Sequence, residues 1–406
     1  MPHKIVFLIF LIANGFGFSV FLARGTIVSW YVFEKTNSTF LVALITSIPT
    51  MTLPFLSPLG GKLADSVSRK SVFLAARIAT FITVIIMALV INLDFFPIAL
   101  LIITSILFGL TASIEGASTQ NLLIDILGIK HLSIGNGYKE LFNSGLNALL
   151  PLIIGVLLIT LSSSIIFWIL PIIGFIGVLF GYLLFIKFQP TNDDTKSSQS
   201  FADVSVKDAL IYVKNNENIR VLLLLGFGMM LFWSFPQPLL PKYSKDVLNV
   251  GGSGFAILTS CYFAGSMIGS LLITFSIIKI QGSKILIIST FAYCIFVMLF
   301  YTSSLPILSG ILILASGISH SIWWISILVF LQTLPKESHK GRIMGFFIAL
   351  LVSIALGSII GGIIAEYIGI TWTVFIAMAA LVLIHFIAYY GSKKFRNLNL
   401  LNQESY

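Results

Sequence analysis

The chain has 406 residues, 57% of them hydrophobic and only 10% charged, with a formal net charge of +9. Soluble domains carry about 25% charged residues, so this composition leaves too few charges to cover a water-facing surface and excludes an ordinary soluble enzyme or binding module. An excess of bases can signal nucleic-acid binding, but their placement along this chain fits a membrane topology signal and no nucleic-acid partner is expected.

Apolar runs long enough to cross a bilayer fall at residues 5–31, 39–61, 71–92, 96–125, 137–160, 165–187, 219–241, 254–278, 284–302, 305–334, 343–366 and 370–391. A spanning helix needs about 20 apolar residues, and backbone polar groups in hydrocarbon must be satisfied within the segment. Twelve helices follow, and the short alternating segments of a membrane barrel are absent. The first run is too long for the apolar core of a signal peptide and is read as a span. Cys261 and Cys294 sit inside apolar runs and read as small core residues. No Cys/His cluster has metal-ligand spacing, so neither metal nor cofactor is expected.

The second span leads into "GGKLADSVSRKS" (Gly60 to Ser71), an unusually dense group of an acid and three bases. Gly61 permits close helix packing, Asp65 can accept from a helix N-terminus or pair with a base, and Arg69 and Lys70 suit an anionic lipid surface. In span four, "LTASIEGASTQN" sets Glu115 near the bilayer midplane among Thr111, Ser113, Ser118, Thr119, Gln120 and Asn121. An ionisable residue inside a span is costly and is a functional candidate by default. Glu115 is the candidate proton-coupling or substrate-contacting acid, on a helix face expected to meet water or another helix. Arg24, in the outer part of span one, can snorkel outward, pair with Glu115 or bind an anionic substrate. Arg77, two turns into span three, reads as an interfacial anchor. Asn14, with Gly15 and Gly17, can line the inner cavity or allow close packing, of which packing is the reading favoured. Asp125 and Glu140 are expected in a charge network with Lys130, Lys139 and Arg69.

The longest polar stretch, residues 188–218, separates spans six and seven. Its first part is a linker by composition, and Phe201 to Asn215 reads as a short surface helix. Span seven carries "FWSFPQPLLP", whose three prolines break its outer end, with Phe232, Trp233 and Gln237 as candidate cavity-lining residues. Span ten carries "SHSIWWIS", in which His320, Trp323 and Trp324 are candidate substrate contacts. His385 in span twelve reads as a satisfied packing residue.

With a cytoplasmic N-terminus, 19 of the Lys and Arg residues lie inside and only Lys35, Lys242 and Lys245 outside. That bias predicts a cell-membrane protein with both termini and the central linker cytoplasmic. The expected domains are a six-helix bundle at 1–187, the linker at 188–218, a second bundle at 219–392 and a tail at 393–406. "LPLIIG" (Leu150 to Gly155) and "GSIIGG" (Gly357 to Gly362) hint that the halves are related.

Gly61, Leu63, Ala64, Asp65, Arg69 and Lys70, in the loop after span two of a twelve-span chain, resemble the signature of the major facilitator superfamily. Ser66 and Ser68 depart from its usual base and Gly. The resemblance implies two pseudo-symmetric six-helix bundles working by alternating access, with Gly61, Asp65, Arg69 and Lys70 as a cytoplasmic gate. The surface helix before span seven and "KGRIMGFF" (Lys340 to Phe347) resemble the drug and siderophore exporters of that superfamily, although only Pro151 and Gly155 remain of their span-five motif. The implied function is proton-coupled export of a small amphiphilic or anionic compound by a monomer in lipid. Import, or a membrane enzyme or scaffold, is the alternative. A nucleotide-driven pump is not expected, since the sequence carries no phosphate-binding G-x-x-x-x-G-K-[ST] loop.

Overall fold

The computed structural model describes residues 4–66, 68–92, 98–128, 132–188, 206–275 and 282–398. Among these residues every regular element is helical. In chain order they are α1 (Lys4–Thr36), α2 (Thr39–Ser66), α3 (Arg69–Ile91), α4 (Ile98–Leu127), α5 (Leu132–Leu157), α6 (Ser163–Ile166) and α7 (Ile169–Lys187). After the linker come α8 (Val206–Asn215), α9 (Glu217–Ser234), a 3-10 turn (Gln237–Leu239), α10 (Leu240–Asp246), α11 (Gly251–Thr274) and α12 (Ser283–Thr302). The rest are α13 (Pro306–Thr333), α14 (Glu337–Ala349), α15 (Val352–Ile368), α16 (Ile370–Gly391) and α17 (Lys393–Arg396). Eleven segments of the described chain are long and apolar enough to cross a membrane, and α2 adds the apolar stretch Thr39–Thr52. The protein is thus an all-α, multi-pass membrane protein.

The helices gather into two compact units, residues 1–198 with 250–260, and residues 199–249 with 261–406. In the first unit α1 lies against α2, α5 and α7, and α4 packs on α2 and α3. The first turns of α11 join this unit, where Phe255 stacks on Trp30 with ring centroids 6.2 Å apart. In the second unit α9 packs on α15 and α16, and α12 on α13 and α16.

Lipid offers no hydrophobic drive for helices to associate, so small residues that let backbones meet decide the packing. Gly357 on α15 meets the Leu231 carbonyl, and a methyl built on Gly361 would come within 2.6 Å of the Phe235 carbonyl. Gly265 and Gly269 on α11 meet the carbonyls of Leu314 and Ile318 on α13, while Gly317 meets that of Tyr262. No side chain larger than hydrogen fits these places without separating the helices.

The prolines after Phe235 act as the sequence predicts. The α-helix stops at Ser234, becomes a 3-10 turn, and resumes at Leu240. The span expected at 343–366 starts earlier and divides at Leu350–Leu351 into α14 and α15. Of the expected surface helix, Val206–Asn215 is helical, and residues 201–205 lie outside the described residues. Tyr212 ties it to the second unit by stacking on His339 at 4.2 Å and accepting from the Lys336 amide at 3.2 Å.

Candidate functional site

The ionic centre of the first unit joins α3 and α4. Arg77 Nη1 lies 2.9 Å from Glu115 Oε1, with side chains only 2% and 13% exposed. Arg77 also donates from Nη2 to the Asn14 carbonyl at 3.3 Å and sits over the Phe73 ring at 4.8 Å. Asn14 in turn donates to Asn143 Oδ1 on α5 at 3.4 Å. The space for the guanidinium comes from Gly17, where a methyl group would overlap Arg77 directly. Gly177 on α7 closes on Gly17 from the other side, its would-be methyl 3.4 Å from the Gly17 nitrogen.

Two expectations are corrected here. Arg77 is not an interfacial anchor, because the glycines of α1 and α7 open a buried slot that its side chain fills. Arg77, not Arg24, is the ion-pair partner of Glu115. Arg24 donates to the Ser105 hydroxyl and lies over the Phe108 ring at 5.2 Å. Ser105 is ten residues from Glu115 on the same helix, about 15 Å along its axis. Arg24 is 2% exposed, its Nε has no hydrogen-bond partner, and no carboxylate pairs with it among the described residues.

The polar face of α4 is more self-contained than its composition suggests. Thr111, Ser113 and Ser118 return their hydroxyl protons to carbonyls of their own helix, at 2.9, 2.7 and 3.0 Å. Such back-bonding removes the need for a watery neighbour at those positions. The side chains of Gln120 and Asn121 lie outside the described residues.

The gate expected around the second loop is described only in part, since at Gly61 and Asp65 nothing beyond the helical backbone is described. Arg69 pairs with Asp125 on α4 at 2.5 Å, as the charge-network reading expects, whereas Lys130 and the Glu140 side chain are not described. Lys70 donates to the Phe185 and Phe188 carbonyls at 3.3 and 3.0 Å, capping the C-terminus of α7. Both bases therefore brace the first unit internally, as cations at helix C-termini do.

In the second unit a polar aromatic cluster forms where α9, α11 and α13 meet. Trp233 stacks flat on His320, with centroids 4.7 Å apart and planes 10° from parallel. Trp233 Nε1 donates to the Tyr262 hydroxyl at 2.9 Å, and that hydroxyl lies 2.9 Å from His320 Nδ1. Trp324 flanks the imidazole at 6.2 Å. Trp323, expected alongside them, belongs elsewhere. It is fully buried on another face of α13 and donates to His385 Nε2 at 3.2 Å. His385 Nδ1 meets the Leu381 carbonyl at 3.0 Å, so this histidine is satisfied at both nitrogens. Phe232 packs on Phe235 at 5.4 Å, and Gln237 is exposed in the 3-10 turn. Tyr262 was not singled out from the sequence. Gly265 and Gly317, which press α11 against α13, were the available signal.

Solved transporters share this fold. The nucleoside transporter NupG superposes with a TM-score of 0.76 at 16% identity, covering 95% of this chain and 98% of its own. A bacterial homolog of the human lysosomal transporter Spinster gives 0.76 at 12% identity, covering 97% and 98%. A D-xylose–proton symporter gives 0.75 at 13% identity, covering 98% and 99%. No curated protein sequence matches the chain significantly. The model of a family described as transmembrane secretion effector matches residues 2–405, and the chain accordingly belongs to this family of major facilitator superfamily transporters and is not an enzyme.

Proposed function

We propose that the protein is a proton-coupled exporter of small anionic or amphiphilic compounds, a drug or a carboxylate-rich metal chelator, working by alternating access. The observation that carries this reading is the buried Arg77–Glu115 pair. A carboxylate in low dielectric is tolerated either paired with a cation or protonated. Proton uptake by Glu115 releases Arg77, so the two protonation states favour different side-chain arrangements and can bias a conformational equilibrium. The likeness to a D-xylose–proton symporter supports proton coupling, and the family's description as secretion effectors supports export. That symporter also makes import the second reading.

Arg24 supports an anionic substrate. A buried guanidinium held by a hydroxyl and a ring face carries uncompensated charge, which an incoming carboxylate or phenolate would neutralise. The placement of Lys and Arg supports a cell-membrane protein with cytoplasmic termini. Labelling of single cysteines added at the two ends should find both on the cytoplasmic face, and labelling on opposite faces would refute this orientation.

A comparison of metabolites in the medium of cells with and without the protein tests the reading. Anionic compounds should accumulate outside producing cells, and Arg24→Ala should remove most of that accumulation while sparing any cationic solute. Accumulation inside the cells would favour import, and equal losses for cations and anions would make Arg24 structural.

A further inference from the structure

We infer that Tyr262 is a positioning residue that fixes His320 as its Nε2–H tautomer, so that the second unit offers one oriented N–H donor beside Trp233 and Trp324 to a planar substrate group bearing an oxygen acceptor. This inference rests on the transporter reading and names the chemistry of the solute.

The assignment follows from counting protons. An indole nitrogen is a donor only, so the Tyr262 oxygen accepts from Trp233 Nε1. The hydroxyl has one proton to give and two groups that can take it, the Ser266 hydroxyl and His320 Nδ1, and the imidazole nitrogen, 2.9 Å away and the stronger base, takes it. A neutral imidazole whose Nδ1 accepts carries its proton on Nε2. No partner holds Nε2 among the described residues, and the His320 ring is only half-buried. The donor therefore remains available to a ligand.

The surroundings define what that ligand is. Trp233 covers one face of the imidazole in parallel, and Trp324 stands at 6.2 Å and itself packs on Phe347 at 5.6 Å. Tyr293 closes another side at 6.0 Å. Aromatic walls favour a flat apolar group, and a single N–H donor favours a carboxylate, phenolate or carbonyl oxygen on its rim. A flat amine, protonated at neutral pH, offers no acceptor and would set its own N–H groups against the imidazole N–H. The close contact of Gly317 with the Tyr262 carbonyl, one turn before His320, holds the tyrosine in register.

The test uses the purified full-length protein in lipid nanodiscs, labelled with 15N-histidine. Subtracting the spectrum of His320→Gln isolates the His320 signals, whose shifts distinguish the tautomers. Wild type should show the Nε2–H form and Tyr262→Phe a mixture. Binding of 2-naphthoate should weaken in Tyr262→Phe by the inverse of the fraction of His320 left in the Nε2–H form, about twofold for an even mixture. His320→Gln, which keeps an amide donor with no tautomer to fix, should bind within about threefold of wild type and should make Tyr262→Phe silent. 2-Naphthylmethylamine should bind weakly to all of them. An Nδ1–H tautomer in wild type, unchanged naphthoate binding in Tyr262→Phe, equal binding of the amine, or no binding of either probe would overturn the inference. These equilibrium readouts involve neither proton gradient nor direction, so an error in the coupling or export reading leaves them unaffected.

Discussion

Arg77 shows how two glycines decide the fate of a charge. Its guanidinium is buried because Gly17 contributes no side chain and Gly177 lets α7 close over the same spot. Removing one partner of a buried ion pair costs about 3–5 kcal/mol, while replacing both by apolar groups of similar volume is often neutral. Arg77→Met should therefore lower the thermal unfolding temperature sharply, and adding Glu115→Met should restore most of the loss. Gly17→Ala should behave like Arg77→Met and add little to it, because both changes break the same contact. Additive losses would mean that the slot and the pair act separately. Glu115 was legible in the sequence because a carboxylate inside an apolar run is conspicuous. Its partner was not, because burial of Arg77 depends on glycines from two other helices whose alignment the sequence does not display. The same gap explains Trp323 and Trp324, adjacent in sequence but turned to different surroundings on one helix.

At the scale of elements, hydrophobicity located the spans and proline chemistry located the break after Ser234, since both act within the segment. The ends and divisions were less legible. The break at Leu350–Leu351 carries neither proline nor glycine, so local sequence gives no stop signal. Helix pairing was written in glycine spacing, which indicates close approach but not the partner. Gly265 on α11 illustrates the cost of changing it, because its would-be methyl meets the Leu314 backbone, which cannot yield as a side chain can. Gly265→Leu should separate α11 from α13, and size-exclusion chromatography of the solubilised protein should show a loss of the monodisperse species. A normal profile with 2-naphthoate affinity retained would show that the two helices meet without this contact. Arg69 and Lys70 belong to the same scale, since one ties α3 to α4 and the other caps α7.

Across the whole molecule, composition was enough to place the chain in a membrane, and the loop motif after the second span pointed to its superfamily. Its fold agrees with transporters no more than 17% identical in sequence, because that fold depends on apolar length and small-residue contacts more than on particular side chains. The described residues hold two polar constellations, a buried ion pair in one unit and a histidine bonded to a tyrosine among indoles in the other. Under the proposed function the proton is carried by the first. The most direct measurement is proton movement driven by solute in proteoliposomes enclosing a pH-sensitive dye. If the protein is the proposed antiporter, an imposed gradient of an anionic solute should drive protons the opposite way through wild type. Glu115→Gln should abolish that proton flux yet still exchange labelled for unlabelled solute. Proton flux of wild-type size through Glu115→Gln would contradict the account.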